Sequence, residues 1–165
     1  FRLAIATSSH PDTASRCRMS GMVLYWWNAM LDDPTTPESL TRRLYESNGL
    51  PCINGGGTVG TAAWVIAHSI LGAKTVALVG FDFGYPVGFP YEQTQYAPEL
   101  QALYGDRWTD AFIHYGNGWY ADPTYAWFRD VFLKMAAEAP CRTVNCTEGG
   151  TLDRVECMTV EEWLI

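Results

Sequence analysis

Four short stretches of this sequence hold residue types that can do chemistry. In Cys52-Ile-Asn-Gly-Gly-Gly-Thr-Val-Gly-Thr61, the residues Asn54, Gly55, Gly56, Gly57 and Thr58 stand directly before a run with helical spacing. Glycines in that position let backbone N–H groups come close to a phosphate or carboxylate, and a helix N-terminus favours an anion. Thr58 can cap the helix or donate its hydroxyl. The second stretch, Leu78-Val-Gly-Phe-Asp-Phe-Gly-Tyr85, sets Asp82 and Tyr85 just past an apolar strand. The third, Thr7-Ser8-Ser9-His10-Pro11, follows the first strand, and the fourth, Asn145-Cys-Thr-Glu-Gly-Gly150, brings Thr147, Glu148, Gly149 and Gly150 to the end of a late one. In parallel α/β sheets ligands bind outside the carboxyl ends of the strands, so all four stretches fall where a nucleotide or sugar would be held. Plain turn formation accounts for the same residues: three glycines make a tight turn, and Thr7 to Ser9 can simply redirect the chain before Pro11. The glycine pattern is not a P-loop, because no Gly-Lys-Ser/Thr follows. It is not a dinucleotide fingerprint either, since no acidic residue comes at the end of the next strand until Asp82.

The elements that must position these groups can be read from periodicity. Val59, Ala62, Ala63, Ile66 and Ile70 recur at helical spacing and predict a helix from Thr58 to Leu71, broken at Gly72. Val76 to Val79 form a continuous apolar run, which predicts a strand over Thr75–Val79 buried on both faces, so that the region reads as a βαβ unit. Phe1–Ala6 reads as a first strand, with Asp12 capping a short helix through Arg16 and Cys17. Met22–Trp27 reads as a second strand ending near Asn28. Asp32 and Asp33, adjacent carboxylates beside Pro34, can bind a metal or do acid–base work, but on such a loop they are first of all turn formers. Ser39 or Thr36 starts a helix to Ser47, closed by Asn48-Gly49. His68, inside the central helix, reads as a satisfied packing residue, and Lys74 as an exposed loop charge. Further on, Asp122-Pro123-Thr124 opens a helix over Tyr125–Glu138 with Trp127, Val131, Phe132 and Met135 as its packed face. Arg142–Asn145 is a short strand, and Thr159-Val-Glu-Glu162 is a capping box.

Residues 84–123 differ in character, with four prolines and a dense set of tyrosines and tryptophans around a short helix at Pro98–Tyr104. This aromatic-rich insertion is a candidate lid whose rings would stack on a base or sugar; a homo-oligomer interface favours the same residues.

Composition limits the function classes. The 165 residues are 48% hydrophobic and 18% charged, which suits one globular α/β domain. A net charge of −7 leaves no basic stripe for nucleic acid. Cys17, Cys52, Cys141, Cys146 and Cys157 show no Cys-x-x-Cys pair, so neither a zinc site nor a disulfide framework is expected, and they fit a reduced, cytoplasmic protein. No apolar run approaches membrane-spanning length.

The four stretches together, in this order, resemble the family that includes the MptE-like 6-hydroxymethylpterin diphosphokinases and the Maf flagellin glycosyltransferases, with similarity to the small bacterial sialyltransferases around Gly80-Phe-Asp-Phe-Gly-Tyr85. The resemblance implies a three-layer, Rossmann-like α/β fold with a mainly parallel sheet. It implies a nucleotide-dependent transferase, most simply a glycosyltransferase using a nucleotide-activated, CMP-linked sugar without a cofactor. In that reading the Asn54–Thr58 turn holds phosphate, while Asp82 and Thr147–Gly150 orient the ribose or sugar. Tyr85 stabilises the leaving phosphate, and His114, followed by Tyr115, matches a general-base histidine. A diphosphokinase moving pyrophosphate from ATP to a hydroxymethyl pterin with Mg2+ is the enzymatic alternative, Asp82 and Glu148 being its candidate metal ligands. A non-catalytic nucleotide- or sugar-binding module is the third. Members of the family usually carry an upstream segment with its own glycine-rich turn, so a chain starting at Phe1 reads as a fragment.

Overall fold

The computed structural model describes residues 1–165, and in it the chain divides at Gly55 into two units, Phe1–Gly55 and Gly56–Ile165. The first unit alternates strands and helices: β1 (Arg2–Ala6), α1 (Pro11–Met19), β2 (Val23–Ala29), α2 (Leu40–Asn48) and β3 (Cys52–Ile53). Its strands pair in parallel in the order β1-β2-β3, with Leu3 opposite Leu24, Ala6 opposite Trp27 and Asn28 opposite Cys52. Ile5, Ala14 and Ile53 are its buried apolar side chains. Asn28 is fully buried: its Oδ1 accepts from Thr7 Oγ1 and Asn48 Nδ2, while its Nδ2 donates to Asn48 Oδ1, tying the end of β2 to the end of α2.

Helix ends follow local chemistry with one correction. α1 is capped not by Asp12 but by His10, whose Nδ1 accepts from the Asp12 N–H at 3.2 Å. Ser39 caps α2 by accepting from Arg42 N, and Gly49 closes it in the left-handed conformation at φ 68°. Asp32 accepts from Ser39 Oγ, Leu40 N and Thr41 N, and these bonds hold its carboxyl well below the usual carboxylate range. The Asp32-Asp33 pair therefore builds the loop that leads into α2, Asp33 doing the same for Thr35 N at 2.8 Å.

The second unit contains α3 (Val59–Val65), β4 (Thr75–Leu78), β5 (Tyr85–Pro86), α4 (Ala97–Tyr104), β6 (Ile113–Tyr115), β7 (Trp119–Ala121), α5 (Pro123–Glu138), β8 (Arg142–Asn145), β9 (Glu156–Cys157) and α6 (Val160–Trp163). β4, β8 and β9 form a parallel sheet in that order, with Leu78 opposite Asn145. β5, β7 and β6 form an antiparallel sheet, so residues 84–123, read as a loop with one short helix, contain three paired strands. Trp64, Leu78, Phe83, Phe132, Cys141 and Leu152 make one core; Leu100, Phe112 and Tyr120 make a second inside the insertion. The chain is thus mixed α/β, with six α-helices and three small sheets, two of them parallel.

The strands flanking α3 belong to different three-stranded sheets instead of sharing one. Of the run expected to be buried on both faces, only Leu78 is fully buried, and Val79 lies outside the strand and exposed. Trp127 is exposed rather than part of the packed face of α5, whose buried side chains are Ala126, Arg129 and Phe132. After Val65 the central helix continues as a π-helical turn over Ile66–Ile70. His68 in that turn packs its ring 4.4 Å from Trp64, yet its Nε2 is buried without a hydrogen-bond partner, so it is a packing residue but not a satisfied one. No helix is long and apolar enough to cross a membrane.

Candidate functional site

The second unit brings three of the candidate residues into one cavity. Thr58, Asp82 and Tyr85 line a space of about 360 Å³ together with Gly60, Phe81 and Tyr125, between the start of α3 and the chain leaving β4. Thr58 is the N-cap of α3: its Oγ1 accepts from Thr61 N at 3.1 Å and shares a 3.0 Å hydrogen bond with the Thr61 hydroxyl. The cap satisfies one N–H that the helix would otherwise leave open.

The loop carrying Asp82 is held from behind. Phe81 N donates to Thr147 Oγ1 at 3.1 Å, and Thr151 N donates to the Asp82 carbonyl at 2.9 Å. A Cβ added at Gly150 would lie 2.7 Å from Asp82 Cα, so the residue there must be glycine for the two chains to touch. Thr147 and Gly150 therefore brace Asp82 from outside the cavity. Burial pushes the Asp82 carboxyl up from its ordinary value. Burial also pushes the Tyr85 phenol up, so Tyr85 stays protonated across the physiological range. Its oxygen accepts from Gln95 N at 2.9 Å and its proton reaches Asp122 Oδ2 only at 3.5 Å, which leaves it free to turn to another acceptor. Asp122 is fully buried and fixed as the N-cap of α5 through Tyr125 N at 2.8 Å.

The glycines before α3 have a packing reason of their own. Gly56 and Gly57 have φ 55° and 87°, and a Cβ on Gly57 would stand 2.3 Å from the Phe128 ring. A Cβ on Gly56 would stand 2.6 Å from Thr61 Cγ2. Close approach of α5 needs Gly57, and the packing of Thr61 in the first turn of α3 needs Gly56, whether or not an anion binds there.

The other candidates are not among the residues that line this cavity. Ser8, Ser9, Asn54 and Gly55 belong to the first unit, Ser9 N donating to Ala6 O at 3.0 Å in the turn after β1. Glu148, Gly149 and Gly150 line a second cavity with Asn117, Trp119 and Asn145. His114 sits exposed in β6, its Nε2 sharing a 3.0 Å hydrogen bond with the Tyr91 hydroxyl. In the antiparallel sheet both Tyr85 and His114 are paired with Tyr120, one on either side, with ring centroids 5.7 and 5.5 Å from it. Two strand spacings put their backbones about 10 Å apart, and the buried Tyr120 fills the middle, so His114 does not join the cavity of Asp82 and Tyr85. Tyr125 is a lining residue that the sequence did not single out; it lies 40 positions beyond Tyr85, and only its place at the start of a helix hinted at it. A third cavity, of about 690 Å³ between α5, β6 and β8, holds none of the candidates.

Comparison with family models, with curated proteins and with solved structures finds no match to this chain.

Proposed function

We propose that the chain is a nucleotide-dependent transferase on a three-layer, Rossmann-like scaffold, and that it transfers a sugar from a nucleotide-activated, CMP-linked donor. The observation that carries the reading is the convergence of Thr58, Asp82 and Tyr85, from separate stretches of sequence, on one cavity past the end of a parallel strand. Phe81, Tyr85 and Tyr125 supply flat rings against which a base or sugar can stack.

The chemistry assigned to this cavity is a displacement at the anomeric carbon. Asp82, whose raised pKa brings it nearer neutrality, takes the proton of the acceptor hydroxyl. The acceptor oxygen bonds to the anomeric carbon as the bond to the nucleotide phosphate oxygen breaks, and the electron pair leaves with the phosphate. Tyr85, kept protonated by burial, donates a hydrogen bond to that oxygen as its charge develops. The base is Asp82 rather than His114 because only Asp82 lines the cavity.

The test is thermal stabilisation of the chain by CMP, CDP, UDP and ATP, each with and without magnesium. A ligand at about 100 times its dissociation constant adds about 2.7 kcal/mol, which such a scan reads easily. Stabilisation by CMP without metal, abolished in Tyr85→Ala but not in Ser8→Ala, is the expected result. Magnesium-dependent stabilisation by ATP alone would replace sugar transfer with pyrophosphoryl transfer. No shift with any nucleotide would remove the transferase reading.

A further inference from the structure

A second cavity, of about 570 Å³, opens at the carboxyl ends of β8 and β9. Its floor carries Asn145, the last residue of β8, which is only 4% exposed. Asn145 Oδ1 accepts from Thr147 N at 3.0 Å, but Nδ2, with two N–H groups to place, reaches nothing closer than Cys157 Sγ at 4.0 Å. Buried amide donors are almost always paired, and a sulfur contact of that length is weak. That weak sulfur contact is the only one the amide N–H groups make within the chain, and a ligand oxygen in the cavity would be a better acceptor.

Two neighbours define what that ligand is. Glu148 is a non-glycine residue at φ 60°, a conformation that costs energy, and its carboxylate stands exposed at the cavity mouth with no hydrogen bond or ion pair within the chain. Trp119 lies against Gly149, where a Cβ would stand 2.8 Å from the indole Cζ2, so the glycine gives the ring its seat in the cavity wall. The other two carboxylates of the lining are already engaged, Asp153 with Arg129 at 2.5 Å and Glu162 with Thr159 N at 2.7 Å. Asn117 donates to Gly150 O at 2.8 Å and keeps its own carbonyl oxygen as an acceptor.

A flat aromatic face, a buried donor and an unpaired carboxylate together suit a ring that is apolar on its face and hydroxylated on its edge. Glu148 and Glu162, which have no ion-pair partner, and a lining without lysine or arginine oppose any anionic ligand, whether phosphate or acidic sugar. We propose that this cavity is a binding site for a neutral pyranose. The sugar face stacks on Trp119, a pair of neighbouring hydroxyls donates to the Glu148 carboxylate, and another hydroxyl oxygen accepts from Asn145 Nδ2. The volume lies within the ordinary range of small-molecule sites. The proposal is independent of what the Asp82 cavity binds.

The test is a titration of the isotopically labelled chain, following the Asn145 side-chain amide and the Trp119 indole N–H by NMR. The ligands are the methyl glycosides of glucose, galactose and mannose, with N-acetylneuraminic acid and cytidine as contrasts. The expected result is saturable, millimolar-range shifting of both signals by at least one neutral glycoside and none by the acidic sugar or the nucleoside. Glu148→Gly, which relieves the left-handed strain, is expected to keep or raise the melting temperature while weakening the sugar about tenfold or more. Stable folding with lost binding then isolates the carboxylate. No shift with any neutral glycoside, unchanged affinity in Glu148→Gly, or preferential binding of the acidic sugar or cytidine would overturn the proposal.

Discussion

Asp82 is a partly buried carboxylate whose pKa is raised by desolvation, and one substitution tests what that burial does. Because burial raises its pKa in the folded chain, folding favours the protonated carboxyl. The sign follows from linkage: between the unfolded and the folded pKa the native state holds more protons, so stability is fullest below the unfolded value and falls as pH rises through the folded one. Asp82→Asn removes a carboxylate that is half-buried without charge compensation. The variant is therefore expected to be more stable than the parent at neutral pH, with the advantage vanishing in acid below the normal carboxylate range. Paired thermal melts across pH read this directly, and equal pH profiles would show that Asp82 is solvated. If the residue is also the base of the proposed transfer, the same variant loses about 10²- to 10⁴-fold in kcat with little change in KM. Asp32, with the opposite environment, is the turn former that its loop position suggested: three donors at the start of α2 bind its two oxygens and hold it in the loop.

At the scale of elements, the turn before α3 depends on α5. Gly57 combines φ 87° with a Cβ position occupied by the Phe128 ring, so Gly57→Ala meets both backbone strain and a clash. The expected cost is about 2–4 kcal/mol in a urea titration. Gly116→Ala, at a position with nothing within 4 Å, is the near-neutral control. Lost ligand binding in Gly57→Ala at unchanged stability would instead assign the glycine to the ligand. The sequence showed where this turn is but not why it is glycine, because Phe128 lies 71 positions away and no local pattern connects the two. Local signals did better: Ser39, Gly49 and the Thr159–Glu162 box were legible because a cap is made within four residues of itself. The strands of the insertion were not, since pieces of two and three residues are too short to show alternation, and their pairing through Tyr120 is set by ring packing. Three of the site residues, Thr58, Asp82 and Tyr85, were readable as strand-end groups, whereas Tyr125 and Trp119 needed the fold to bring them in.

At the scale of the whole molecule, charge is unevenly shared between the two units. The first contains five Lys and Arg against five Asp and Glu, and the second six against thirteen, so the entire net charge of −7 falls on residues 56–165. The Asp82 cavity belongs to that acidic unit and is lined by no lysine or arginine. A nucleotide bound there must be held by backbone amides, hydroxyls and ring stacking while the surrounding field repels its phosphate. Salt screens such repulsion over about 10 Å at 0.1 M. Basic phosphate sites weaken as ionic strength rises, because the attraction itself is screened. Here the expectation reverses: CMP affinity stays level or strengthens between low and physiological salt, and its association rate rises. Calorimetry and stopped-flow measurements at a few ionic strengths distinguish the two cases. Steep weakening with salt would mean that a cation reaches the phosphate, which would move the nucleotide out of the Asp82 cavity and towards the wall of α5 that carries Arg129 and Lys134.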